Sequence, residues 1–203
     1  MMATTHALAG VVLGTLVFLV APDVGTVPVL AAALGGLFPD FDLYAGHRKT
    51  LHFPVYFSLA AVPAALVALA APGVATLSVA LFLLAAATHS VMDAFGGGLE
   101  LKPWEATSER AVYDHFRGQW IPPRRWIRYD GAPEDLLLAV AFAVPPLLVF
   151  EGTVELAVGV ALAISAAYAL LRKPMVAAAE QLVAVLPTTV LSYVPERFIE
   201  DFQ

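Results

Sequence analysis

Histidine and aspartate side chains interrupt a largely apolar sequence at four places. His89 and Asp93 are four residues apart on a predicted helix, so their side chains share one helix face and can bind a single cation. The chain has no cysteine, and sulfur-free sets of imidazole and carboxylate ligands are typical of zinc, manganese or iron. The sequence therefore predicts a divalent metal site, for which zinc is the first choice and two ions are an option. The predicted ligands are His6, Asp40, Asp42, His52, His89 and Asp93.

The two aspartates also have a structural interpretation. Asp40 and Asp42 follow Pro39 in a short connection, where aspartate often caps a helix or hydrogen-bonds its own turn. A role in catalysis and a role in capping both stay open for this pair.

The histidines differ in how well they suit metal binding. His52 precedes an apolar helix and is favoured over His47, which lies in a polar loop. His115 belongs to a long charged loop, and we expect it to face water. For His89 the structural alternative is a hydrogen bond between helices.

Metal-assisted hydrolysis is the chemistry that such a ligand set favours. A bound divalent ion lowers the pKa of its water and polarises an ester or phosphoryl oxygen. Arg48 adjoins the predicted site and is a candidate to hold an anionic group of the substrate. The predicted catalytic residues are thus Asp40, Asp42 and Arg48, and the expected substrate is a phosphoester or ester of a lipid-like molecule.

The elements that must position these residues are apolar helices. Of the 203 residues, 60% are hydrophobic and 14% are charged, which argues against an ordinary soluble enzyme. The net charge of -6 argues against a nucleic-acid partner. We predict an all-α fold, a polytopic transmembrane bundle of six or seven helices in a single domain, 1–203. Four segments are long enough to cross a bilayer, namely 2–21, 53–71, 74–95 and 153–171. Segments 24–38 and 135–150 are shorter, and 175–194 is either a seventh span or a surface helix.

The distribution of basic residues predicts the orientation. Six crossings place ten of the eleven basic residues on one side, together with all the predicted ligands. Lys and Arg are retained on the cytoplasmic side during insertion. We therefore expect a multi-pass protein of the cell membrane, in contact with membrane lipids, with its N-terminus and the loop 96–134 in the cytoplasm.

The loop 96–134 combines tryptophan, tyrosine and arginine residues. That composition suits an interfacial lid held by lipid headgroups, although an ordinary solvated connector is an equal alternative.

The ordered set of polar motifs resembles the YdjM-like family of inner-membrane-associated metal-dependent hydrolases, some of which are described as LexA-binding. The resemblance covers roughly the first hundred residues. It rests on Thr5-His6 with Gly10, Pro39-Asp40-Phe41-Asp42, His47-Arg48 with Thr50 and His52, His89 with Asp93, and Gly98-Leu99-Glu100-Leu101-Lys102-Pro103. The resemblance implies a membrane metal hydrolase and names no substrate.

Two other functions are compatible with the same residues. A divalent-cation transporter or channel would use the polar cluster to coordinate a passing ion. A non-enzymatic membrane scaffold would bind a cytoplasmic protein, of unknown identity, through the loop 96–134.

Overall fold

The computed structural model describes residues 1–194, apart from the side chain of Thr188. Residues 195–203, the end of the predicted single domain, lie outside the described residues. Within 1–194 the fold is mostly helical, as predicted. The helices are α1 (Ala3–Val20), α2 (Val27–Leu37), α3 (Pro54–Ala70), α4 (Val74–Met92), α5 (Pro133–Val149), α6 (Thr153–Val185) and the short α7 (Thr188–Leu191).

The helices pack in both orientations: α1 and α2 run antiparallel, whereas α2 and α4 run parallel, since both end at the predicted ligands. Helix α2 packs against α1 and α4, α3 packs on α4, and α5 lies between α1 and α6. Glycines make the closest approaches: a Cβ at Gly10 would overlap the carbonyl of Ala32, and a Cβ at Gly36 would overlap the carbonyl of His6. Small residues let apolar helices approach backbone to backbone. Gly36 thereby brings the end of α2 against the first turn of α1.

Among residues 1–194, three helices are long and apolar enough to cross a membrane. They are Ala3–Val20, Val74–Phe95 and Thr153–Val185, and Pro54–Ala70 is a shorter apolar helix. Two of the three correspond to the predicted spans 2–21 and 74–95.

The C-terminal region corrects the predicted element boundaries. The sequence predicts a break between a span 153–171 and a separate segment 175–194, but α6 runs without interruption to Val185 and includes Pro174. The charges at the expected break are paired: the Arg172 guanidinium bonds Asp130, with Nε 2.9 Å from Oδ2, and Lys173 lies over the Trp104 ring. A helix of 33 residues is about 50 Å long, so α6 is longer than the roughly 30 Å hydrocarbon core of a bilayer.

The segment between α4 and α5 contains a hairpin that an all-α prediction misses. Strands β1 (Val112–Asp114) and β2 (Gln119–Ile121) pair antiparallel. The Asp114 carboxylate accepts the backbone N–H groups of Phe116 and Arg117, and Gly118 takes the positive φ that the turn requires. Strands of three residues are too short to show an alternating pattern, which is why the sequence did not indicate them.

The same segment is bonded to the ends of the helices. The N–H of Tyr113 donates to the carbonyl of Arg48, and the N–H of Arg124 donates to the carbonyl of Ala94. Arg125 and Ile127 make similar backbone bonds to the residues that follow α4. The segment is therefore fixed across the end of the bundle where the predicted ligands lie.

Candidate metal centre

Four parts of the chain bring the predicted ligands to one end of the bundle. His6 lies in the first turn of α1, Asp40 in the helical turn that follows α2, and His52 directly before α3. His89 lies in the last turn of α4, and Asp93 begins the turn after it. The side chains of His6, His52, His89 and Asp93 are fully buried.

The imidazoles of His52 and His89 face each other through their Nε2 atoms, which are 3.1 Å apart. In both rings Nδ1 carries the proton, because it donates to an oxygen: His52 to Asp42 Oδ2 at 2.9 Å and His89 to the Gly36 carbonyl at 2.6 Å. Two nitrogen ligands of one tetrahedral zinc ion, at about 2.0–2.1 Å from it, lie about 3.3 Å apart. The two histidines are therefore spaced like ligands of one ion.

Carboxylate oxygens complete this arrangement. Asp93 Oδ2 lies 3.2 Å from His52 Nε2 and 3.5 Å from His89 Nε2, and it has no hydrogen-bond partner among residues 1–194. Asp40 Oδ1 lies 3.5 Å from His89 Nε2 and 3.8 Å from His52 Nε2. The Nε2 atoms of His52 and His89 thus each lie within 3.8 Å of an oxygen of both aspartates, and this type of donor set fits zinc.

His6 borders the same cluster on the other side of Asp93. Its Nε2 lies 3.2 Å from Asp93 Oδ1, and its ring stacks on His89 with centroids 3.7 Å apart. His6, His89 and Asp93 can hold an ion as a group, as can Asp40, His52 and His89. Both groups depend on His89.

Asp42 supports a ligand and lies outside both groups. Its Oδ2 accepts Nδ1–H of His52 and the N–H of Leu51, while its Oδ1 accepts from His47 and from the N–H of Arg48. A carboxylate behind a histidine fixes the tautomer and the orientation of the ring. Asp42 therefore has two roles. It caps the turn by accepting backbone N–H groups, and it orients the candidate ligand His52.

The charges of the loop residues suit a cation. Burial raises the pKa of Asp40, but hydrogen bonding and charge at His89 outweigh it and hold the pKa well below its usual range. Burial opposes ionisation of Asp42 too, yet its bonds with His47 and His52 keep its pKa low. Both carboxylates stay ionised at neutral pH.

The pKa of His52 shifts in the opposite direction. Burial lowers it, but the Asp42 and Asp93 carboxylates more than compensate and raise the pKa above its ordinary value. A proton therefore competes with a cation for this imidazole, and metal affinity should weaken as the pH falls.

Arg48 lies beside the centre with its backbone at a positive φ of 59°. Its Nε is 3.5 Å from Asp93 Oδ2, and its Nη1 donates to the carbonyl of Gly97 at 2.8 Å. The α-amino group of Met1 is 3.2 Å from Asp93 Oδ1. Asp93 is thus the residue on which the positive charges of this region converge.

Two further residues belong to the site although sequence reasoning did not identify them. The Gly36 carbonyl fixes the His89 tautomer, and His47 bonds Asp42 at 3.1 Å while it lines the neighbouring cavity. Burial lowers the pKa of His47 although Asp42 opposes this. The role of the Gly36 carbonyl could not be predicted, because every residue has a backbone carbonyl. The short separation of Asp42 and His47 in the sequence could have indicated their contact. His115 lies outside both ligand groups and bonds the Lys49 carbonyl, but it is half-buried where water exposure was predicted, because its ring packs against Phe53 and Tyr113.

No family model, curated protein or solved structure matches the chain.

Proposed function

We propose that this protein is a membrane-embedded metal-dependent hydrolase that cleaves a phosphoester or ester in a lipid-like substrate. The observation that carries the proposal is the pair of facing Nε2 atoms of His52 and His89, 3.1 Å apart, with the oxygens of Asp93 and Asp40 around them. Both Nδ1 protons are committed elsewhere, so the Nε2 lone pairs of the two neutral imidazoles point at the same place. A cation relieves the repulsion between them. The resemblance to the YdjM-like hydrolases agrees with this proposal.

One zinc ion satisfies the cluster better than two. His89 offers a single free nitrogen because its Nδ1 is bonded to Gly36, and both candidate ligand groups need that nitrogen. His52, His89, Asp93 and Asp40 would hold the ion, with His6 as the nearest further donor. When bound, such an ion supplies a Lewis acid that polarises an ester or phosphoryl oxygen.

The surrounding residues perform the remaining tasks. Asp42 keeps the His52 ring in place, and Arg48 supplies a fixed positive charge beside Asp93 for the anionic group of a substrate. Because these groups are buried, each electrostatic interaction among them is stronger than it would be in water.

The interior of α1 favours hydrolysis over cation transport. Beyond Thr5 and His6, the buried residues of α1 are apolar or glycine except for Thr15, and the Thr15 hydroxyl donates to the carbonyl of Val11. A conducted ion needs successive polar sites along its path. Within α1 the buried polar side chains that are available to coordinate an ion lie in the first turn of the helix.

We place that end at the cytoplasmic surface of a multi-pass protein of the cell membrane. Ten of the eleven basic residues lie in the connection between α2 and α3, in the segment 96–134 or in the interior of α6, at Arg172 and Lys173. Because the chain lacks cysteine, Thr107→Cys and Asp23→Cys, both at exposed positions near opposite ends, form a matched pair. An impermeant thiol reagent added to intact cells should label Cys at 23 and spare Cys at 107. Labelling at 107 alone would reverse the orientation.

The hydrolase proposal is tested on purified protein in mild detergent. Metal analysis should find about one zinc per chain, and the zinc-loaded protein should hydrolyse p-nitrophenyl phosphate or a p-nitrophenyl acyl ester. Chelation and His89→Ala should abolish both metal and turnover, while His115→Ala should retain both. Turnover that survives complete removal of metal would contradict the proposal.

A further inference from the structure

A cavity of about 410 Å³ adjoins the candidate metal centre. It lies between the first turn of α1, one face of α6 and the segment 98–101, and its wall includes Asp40 and Arg48. Pockets that hold small ligands have volumes of roughly 300–1,000 Å³. The cavity is therefore large enough for a headgroup with the start of one hydrocarbon chain, and it ends at the residues proposed to act on it.

The α6 wall of the cavity changes from polar to apolar. Ile164, Tyr168 and Arg172 line it at intervals of four residues, so they lie on one helix face along about 12 Å. Arg172 is held by Asp130 and by the Leu101 carbonyl, whereas the Ile164 side chain is 53% exposed on a helix apolar enough to cross a membrane. A ligand along this face meets charge at one end and hydrocarbon at the other.

Glu100 lines this cavity, and its carboxylate is unpaired among the described residues. Both of its oxygens are buried, and neither has a hydrogen-bond partner within residues 1–194. The carboxylate lies against Gly98, where a Cβ would overlap it. Leaving such an acceptor without a donor is costly. A hydroxyl on the ligand would satisfy it.

We infer that the cavity binds a single-chain amphiphile whose anionic phosphate is adjacent to a hydroxyl, as in a lysophosphatidate. The phosphate lies toward Arg48 and the metal centre, the hydroxyl donates to Glu100, and the acyl chain leaves past Ile164 into the bilayer. The inference rests on the proposed function for the reaction that follows binding. It adds the substrate class and a lateral route of entry.

Three probes separate the contributions of the ligand's hydroxyl, hydrocarbon chain and phosphate to binding. Binding of oleoyl lysophosphatidate, oleyl phosphate and inorganic phosphate is measured by native mass spectrometry on the full chain in mild detergent. We expect oleyl phosphate, which lacks the hydroxyl, to bind about tenfold more weakly than lysophosphatidate. Inorganic phosphate should bind at least about 100-fold more weakly than lysophosphatidate, because it makes no apolar contact.

Two variants and one control test which residues of the cavity contribute to the binding of each probe. Ile164→Gln should weaken both chain-bearing probes about tenfold and leave inorganic phosphate unchanged. Leu170→Gln is the matched control, because Leu170 is 77% exposed on the same helix but does not line the cavity, and it should change nothing. Glu100→Met should remove the preference for lysophosphatidate over oleyl phosphate.

The outcomes separate this inference from the proposed function. Equal effects of Ile164→Gln and Leu170→Gln, or inorganic phosphate binding as tightly as lysophosphatidate, would overturn the lipid site even if the protein binds zinc. Selective lysophosphatidate binding that persists in His89→Ala, together with absent zinc in the parent protein, would support the lipid site and overturn the hydrolase.

Discussion

Two buried aspartates at the same end of the bundle are surrounded by opposite kinds of partner. Asp135, at the start of α5, is fully buried and accepts hydrogen bonds from neutral donors: the N–H of Met2 at 2.8 Å, the Thr5 hydroxyl at 2.7 Å and the N–H of Gly131 at 3.0 Å. Asp93, after α4, is as deeply buried but is surrounded by titratable and cationic groups.

The comparison separates a structural carboxylate from a functional one. Asp135 is satisfied within the fold and joins the first turn of α1 to the first turn of α5, where negative charge is favourable. Asp93 has an oxygen without a hydrogen-bond partner among the described residues, and that oxygen faces the free nitrogens of two histidines. Burial of an acidic residue alone would not distinguish the two; the chemistry of the neighbours does.

The largest expected effect is the loss of metal on removing a ligand. His89→Ala and Asp93→Ala should each lower zinc affinity by more than about 100-fold, because a direct ligand matters more than its supporting partner. Asp135→Ala should leave the zinc content unchanged, as should His115→Ala. Inductively coupled plasma mass spectrometry on the purified variants measures this. Equal zinc in all four would remove the distinction between the aspartates.

Stability measured with and without zinc should also separate the two aspartates. Asp135→Ala leaves buried donors of α1 and α5 without an acceptor and should cost about 2 kcal/mol in the free energy of unfolding. Asp93→Asn, measured with metal chelated, should cost at least as much, because it leaves the buried Arg48 guanidinium without its anionic partner. Thermal unfolding in one detergent compares the two: added zinc should raise the melting temperature of Asp135→Ala and leave that of Asp93→Asn unchanged. The same response to zinc in both variants would contradict the distinction.

Asp42→Asn should have an intermediate effect. Asn is similar in size and can still cap the turn, but it lacks the charge that holds the His52 ring. Zinc affinity should fall about tenfold while the number of sites stays the same. The melting temperature should fall as well, because the Asn amide nitrogen replaces one of the two buried oxygens that accept backbone N–H groups. An unchanged zinc affinity would mean that Asp42 only caps the turn and does not support metal binding.

Glu134 provides the smallest effect and a pH test. Its bonds to Arg128 outweigh burial and lower the pKa of the carboxyl to about 2 from a usual value of 4.5. The ionised form is therefore stabilising above about pH 4.5, and this contribution is lost as the pH falls toward 2. Glu134→Gln should lower the melting temperature slightly at pH 7, with zinc content unchanged. The difference from the parent protein should shrink below pH 4.5; a difference that grows on acidification would contradict this pairing.

Particular elements show how far sequence reasoning reached. The helices α1 and α4 and the polar residues at their ends were predictable, because apolar length and the four-residue spacing of His89 and Asp93 are local signals. The hairpin 112–121 and the continuous α6 were not, because short strands have no detectable period and because Arg172 in α6 is stabilised by Asp130, 42 residues away.

The sequence by itself determined an apolar helical chain whose histidines and aspartates fall at one end of the helices. Only the tertiary structure decided which carboxylate serves which purpose. Asp42 lies behind His52, Asp93 faces two imidazoles, and Asp135 joins two helix starts. The reason is physical: a buried carboxylate is defined by the donors around it, and those donors come from segments up to 133 residues away, beyond the range of any local pattern.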